Sequence, residues 1–172
     1  LSWVAVAALG GPSNEGGALL AVPPATLADT GDAGRVTLAR AWAELGQPGL
    51  VQAVGDLLGA GFSEVAVLDP GRLAALVAPV APLPLTLADE VPGFDSGEVE
   101  LAAEEVVELL GARGRRESDL GRLARHELVW RAWLDRVAAS ADPDVVPGER
   151  ASGVGRYVRG LAAGATTFDV VP

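Results

Sequence analysis

The sequence contains no cysteine, which removes disulfide frameworks, thiolate zinc sites and cysteine nucleophiles together. It has no lysine either, since all 13 basic residues are arginine. Histidine occurs once, at His126, so a polyhistidine metal centre is excluded. No apolar run approaches the roughly 18 residues that a membrane-spanning helix needs. The opening LSWVAVAAL lacks both an initiator Met and a basic flank, so it does not read as a secretory signal. It reads as the start of a fragment cut from a longer protein, with any membrane anchor upstream. The motifs GxxxxGK[ST], HExxH and GxSxG are missing. GxG occurs at 59–61 and 153–155, neither of them at a strand-to-helix turn, so a dinucleotide fingerprint is unsupported.

What is present is a chain of 172 residues, 49% hydrophobic and 21% charged. That composition suits a globular domain, and the length suits one. The formal net charge is −10, yet seven of the arginines fall between Arg113 and Arg136. An acidic body with one basic stretch argues against general nucleic-acid binding, which needs a broad positive face. It permits a local site for a phosphate or carboxylate, the groups that the planar guanidinium fork suits.

Strands and helices alternate along the chain. WVAVAAL (3–9) and ALLAV (18–22) read as strands joined by a GGPSNEGG turn. A helix over 37–45 stops at Gly46, and a second runs from about Pro48 to Gly59. EVAVLD (64–69) reads as a strand, PGRLAALVA as a helix, and LPLTLA (83–88) as a strand weakened by Pro84. PGFDSGE reads as a loop, followed by a helix over 100–113. A longer helix opens at Ser118, a good N-cap, and runs to about Ser140. A third late helix spans roughly 148–163, and TFDVV (167–171) reads as a closing strand. The expected class is α/β: a single α/β/α sandwich over 1–172, with a central mixed sheet covered by helices.

The stretch ESDLGRLARHELVW (117–130) concentrates the chemistry. On a helix from Ser118, Asp119, Arg122 and His126 share one side and Arg125 lies beside them. Asp119 and Arg122 are expected to pair. Leu120, Leu123, Trp130 and Leu134 form a neighbouring apolar stripe expected to face the core, with Glu127 an imperfection in it. Two readings stand. Either the charges order the helix start and solvate its face, or the free backbone N–H groups there, with Arg113 and Arg125, attract a phosphate.

LAAEEVVELLGAR (101–113) followed by DLGRLARH (119–126) resembles the LytR-CpsA-Psr family, in which L-x-G-x-x-A-L-x-Y-x-R-x-R precedes D-x-x-R-x-x-R-Q. VPPAT (22–26) resembles that family's strand ending I-P-R-D-T. FSEVAVLDPGRLAALVAPVAPLPL (62–85) and FDVVP (168–172) resemble its later segments, so the likeness runs through the whole chain. The resemblance implies an extracytoplasmic domain of the cell envelope, membrane-anchored in its full-length form. Its partners would be a polyprenyl-phosphate lipid or a cell-wall glycan, with no nucleic acid.

The departures from the family pattern fall on its charged positions. The place of the arginine that grips pyrophosphate is Pro24, and the Asp after it is Ala25. The magnesium-binding Asp of the first strand falls near Ser2 and Trp3, so that ligand is gone or truncated away. The first Arg of R-x-R is Gly111, and the final Gln is His126. The G-G-V turn is Ala81, Pro82 and Leu83. Arg113, Asp119, Arg122 and Arg125 persist, with His126 beside them, as candidate phosphate-binding residues. No catalytic residue, metal ligand or cofactor is assigned; magnesium is the family's metal, and its Asp is not found here. Losing one charge-stabilising donor typically costs about 2.7–4 kcal/mol of barrier, so losing several argues against efficient phosphoryl transfer. The expected function is a degenerate domain that binds an envelope ligand or a protein partner. The alternative is an active glycopolymer phosphotransferase with a rebuilt site.

Overall fold

The computed structural model describes residues 3–31, 34–114, 117–142, 144–149 and 152–171. Ser2 and Pro172, named above, and Arg115 and Arg116 of the basic stretch lie outside these. Strands β1 (Val4–Leu9), β2 (Gly17–Val22) and β7 (Thr166–Val170) form a three-stranded sheet in the order β1-β2-β7. β1 runs antiparallel to β2, with Val4 opposite Val22, and β7 joins β2 in parallel, with Gly17 opposite Thr166. The sheet is therefore mixed.

Its two faces bury different side chains, as the period of two requires. Trp3, Ala7, Leu9, Leu19 and Phe168 face one apolar cluster, which includes Val106, Leu109, Trp130, Trp133 and Leu161 from the later helices. Val4, Val6, Val22 and Val171 face the other, with Leu38, Ala41, Ala53 and Val54 of α1 (Leu38–Leu58). Helices thus cover both faces, the α/β/α arrangement expected from the alternating pattern.

α1 begins where Thr37 accepts a hydrogen bond from the Arg40 N–H at 3.2 Å. At Gly46 the backbone reaches φ 67°, ψ −161°, outside the helical region and open to glycine at little cost. The two helices read on either side of Gly46 are therefore two arms of one kinked element, resumed at Pro48. α2 (Pro70–Val77) starts with Asp69 as its N-cap and Pro at its first position, as the sequence suggested. α3 (Ala103–Gly111) packs on α2, while α4 (Asp119–Ala139) packs on α3 and on α5 (Gly153–Ala162). Gly160 brings α5 against the β1–β2 turn: a Cβ there would lie 2.6 Å from Leu9 Cδ2. Its carbonyl accepts from the Gly16 N–H at 2.7 Å.

Several elements differ from the sequence reading. β5 (Leu83–Leu87) buries Leu83, Leu85 and Leu87 and leaves Pro84 and Thr86 exposed, so Pro84 sits on the solvent side of a two-stranded ribbon. Its partner β6 (Gly97–Leu101) begins at the end of the stretch read as a loop and takes the first residues assigned to the following helix. That helix starts only at Ala103, where Glu105 reaches back to the Ala102 N–H at 2.7 Å. β3 (Leu27–Asp29) and β4 (Arg35–Thr37) form a short hairpin that the sequence did not suggest. α5 opens at Gly153 rather than near 148. EVAVLD pairs with no strand among the described residues.

Candidate functional site

The loop between α3 and α4 and the first two turns of α4 hold the arginine cluster. Ser118 caps α4 by accepting from the Gly121 N–H at 3.0 Å, as its residue type predicts. Arg113, just past the end of α3, reaches Asp119 in the first turn at 3.1 Å. The expected Asp119–Arg122 pair is replaced by this one, because Arg113 approaches the acid from outside the helix. With 61% of the Arg113 side chain exposed, the pair is screened by solvent and adds little stability.

Arg125 has a different role. It is 7% exposed, ion-paired to Glu117 and hydrogen-bonded to the Ala112 carbonyl that ends α3. Glu117 in turn accepts from the Gly114 N–H at 3.1 Å. One buried guanidinium therefore ties the α3 end, the loop and α4 together. Removing one partner of such a pair leaves an uncompensated charge, which is what makes buried pairs costly to break.

Arg122 stands between these pairs. Its Nε is enclosed, and no side-chain hydrogen bond or ion pair reaches it from any described residue. Partial burial first, and then the guanidiniums of Arg113 and Arg125, lower its pKa from the ordinary arginine value; Glu117 and Asp119 pull the other way. Three guanidiniums thus share two carboxylates, and Arg122 carries the surplus.

His126 is the fully buried member of the group, at 1% exposed. Its ring lies edge-on to Trp3, with centroids 5.0 Å apart, and Trp3 continues to Trp130 at 5.8 Å. Burial, with Arg122 and Arg125 adding to it, pushes the imidazole down to about 4, against a weaker pull from the Leu110 carbonyl and Glu117. Neither ring nitrogen makes a well-formed hydrogen bond with a described residue. At neutral pH the ring is uncharged, so it adds no positive charge beside the arginines. The sequence grouped it with Arg122 on one side of the helix; the fold turns that side inward one turn later.

The helix phase explains this. α4 buries Leu123, His126, Val129, Trp130, Trp133, Leu134 and Val137, whereas Leu120 is 62% exposed. The expected stripe holds at Leu123, Trp130 and Leu134 and fails at Leu120. Trp3, Leu19, Trp130, Trp133 and Leu134 join the sheet and α4 in one apolar cluster. Two surface hollows lie away from the cluster, one over the end of α1 near Asp56 and Phe62, another near Asp135 and Phe168. Neither includes Arg113, Arg122 or Arg125.

Trp3, next to the place where the resemblance puts a metal-binding Asp, packs into an aromatic stack with His126 and Trp130. Among the described residues, no three of His, Asp and Glu gather as a metal ligand set. No described helix is long and apolar enough to cross a membrane.

No family model matches the sequence, and neither does any curated protein. Solved structures do match in fold. A LytR-Csp2A-Psr enzyme from Actinomyces oris superimposes with a TM-score of 0.75 at 15% identity, over 99% of this chain and 76% of that one. TagT of B. subtilis gives 0.74 at 15% identity, over 99% and 72%. TagT bound to LI-WTA gives 0.68 at 16% identity, over 90% and 65%. Identities this low establish a shared fold, and the fold is that of LytR-CpsA-Psr domains.

Proposed function

From a domain built on the LytR-CpsA-Psr fold, we propose a binding role in the cell envelope, outside the cytoplasm, without efficient catalysis. In this reading the arginine cluster at the start of α4 holds the phosphate headgroup of an envelope ligand, such as a lipid-linked wall polymer. One neighbour of this fold was solved bound to LI-WTA, which supports that ligand class. Arg122 carries the proposal: it is a half-buried guanidinium without a carboxylate of its own, beside the free N–H groups of a helix start. Arg113 can swing from Asp119 to a bound phosphate, because their contact is exposed and weak. Arg125 and Asp119 shape the site, and His126 backs it as a neutral wall.

Loss of turnover belongs to the same proposal and rests on other positions. Pro24, Ala25 and Gly111 supply no charge where the resemblance places two arginines and an acid, and Trp3 supplies no metal ligand.

Inorganic pyrophosphate is a direct probe. It should raise the melting temperature of the wild-type protein by selective binding to the folded state, and the shift should shrink as salt screens the contact. Arg122→Gln, which keeps an unbranched stem, should lose the shift and keep the fold. Equal shifts in wild type and variant would show that the cluster is a solvated face only.

A further inference from the structure

EVAVLD (64–69) has the composition of a strand and no sheet to join. The run is free of helix, turn and bend. Among the described residues, no backbone N–H or carbonyl of 64–68 bonds another backbone group, and only the Val67 carbonyl accepts a side chain, Arg72 at 3.0 Å. Val65 is 46% exposed and Val67 40%, so two β-branched side chains two residues apart stand in solvent. The segment is nonetheless held at both ends. Glu64 accepts from the Gly153 N–H at 2.6 Å and from Arg156 at 3.3 Å. At the far end Asp69 accepts from the Arg72 N–H at 2.8 Å. An anchored segment of strand composition with unpaired backbone is a template for another strand.

We propose that residues 64–68 pair antiparallel with the same residues of a second copy of this chain, about a two-fold axis through Ala66. The backbone decides the register. In a strand, successive residues present their N–H and carbonyl to opposite edges. The edge of residues 65, 67 and 69 is already used, by Arg72 at Val67 and by the first turn of α2 at Asp69. Residues 64, 66 and 68 form the free edge. A two-fold pair must offer the same edge from both copies, so Ala66 faces Ala66 and Glu64 faces Leu68. Val65 then falls opposite Val67 of the other copy, at the position where cross-strand side chains come closest. Each exposed valine gains an apolar partner, and no carboxylate opposes a carboxylate. Arg156 beside Glu64 and Arg72 beside Asp69 further reduce repulsion between two acidic chains. A contact of this size gives a weak, concentration-dependent dimer.

Sedimentation over a concentration series reads the association. The wild-type chain should dimerise at high concentration. Ala66→Pro removes both central N–H donors and no intrachain bond, so it should sediment as a folded monomer. Because the chain has no cysteine, cross-linking reads the register separately. Ala66→Cys puts two sulfurs across the axis on Cα atoms about 5.5 Å apart, within disulfide range. It should form a covalent dimer under mild oxidation, while Leu68→Cys, which faces Glu64, should not. Wild type that stays monomeric to its solubility limit, dimerisation of Ala66→Pro, or equal cross-linking of the two cysteine variants would each overturn the proposal.

Discussion

Arg125 and Arg122 lie three residues apart on α4, yet burial gives them opposite tasks. The first spends its hydrogen bonds on Glu117 and the Ala112 carbonyl, and the second keeps its own free. Sequence alone lists both as cations of one cluster, and only the packing shows that substituting Arg125 would test stability rather than binding. His126 separates from them in the same way. Its folded pKa is about 4, below the ordinary histidine value near 6.5, so the unfolded chain takes up a proton at a higher pH than the folded one. Stability should be level above about pH 6.5 and fall as pH drops towards 4, by a total on the order of 3 kcal/mol. His126→Leu should flatten that slope. Since the chain has one histidine, its single imidazole NMR resonance reports the pKa directly. A midpoint near 6.5 would place the ring in water. Pyrophosphate binding should accordingly show no His126 titration between pH 6 and 8.

At the scale of the element, α4 carries the most legible signals. Ser118 announced its start, and Leu123, Trp130 and Leu134 its buried face. Truncating Trp130 to Ala should cost roughly 3–5 kcal/mol, whereas Leu120→Ala should stay within about 0.5; thermal or urea unfolding of the two variants checks the helix phase. Equal losses would mean that Leu120 is buried in solution. The Gly46–Pro48 break was legible for a similar reason, since those two residues act on the backbone wherever they stand. What escaped was set by partners distant in sequence. GEVEL runs into AAEEVV with no breaker between them, so β6 was absorbed into α3. β3 and β4 are three residues each, too short for a period of two to register. EVAVLD shows the converse, since strand propensity cannot tell whether a partner strand is in reach.

Across the whole molecule, the sequence carried the order of the elements and hence the α/β/α class, and the fold agrees. It carried less of the site. Arg113 and Asp119 do meet at the start of α4, but Trp3 comes from the other end of the chain, and nothing near His126 in sequence foretold that contact. The aromatic stack of Trp3, His126 and Trp130 lies against the position at which the family resemblance would put a metal-binding carboxylate. Pro24, Ala25 and Gly111, uncharged where the resemblance places charge, motivate the proposal of binding without turnover. That claim is tested most directly by incubating the purified domain with a polyprenyl-pyrophosphate-linked glycan and an acceptor, with and without Mg²⁺. The account predicts no transfer under either condition, while pyrophosphate still raises the melting temperature; robust, Mg²⁺-dependent transfer would contradict it.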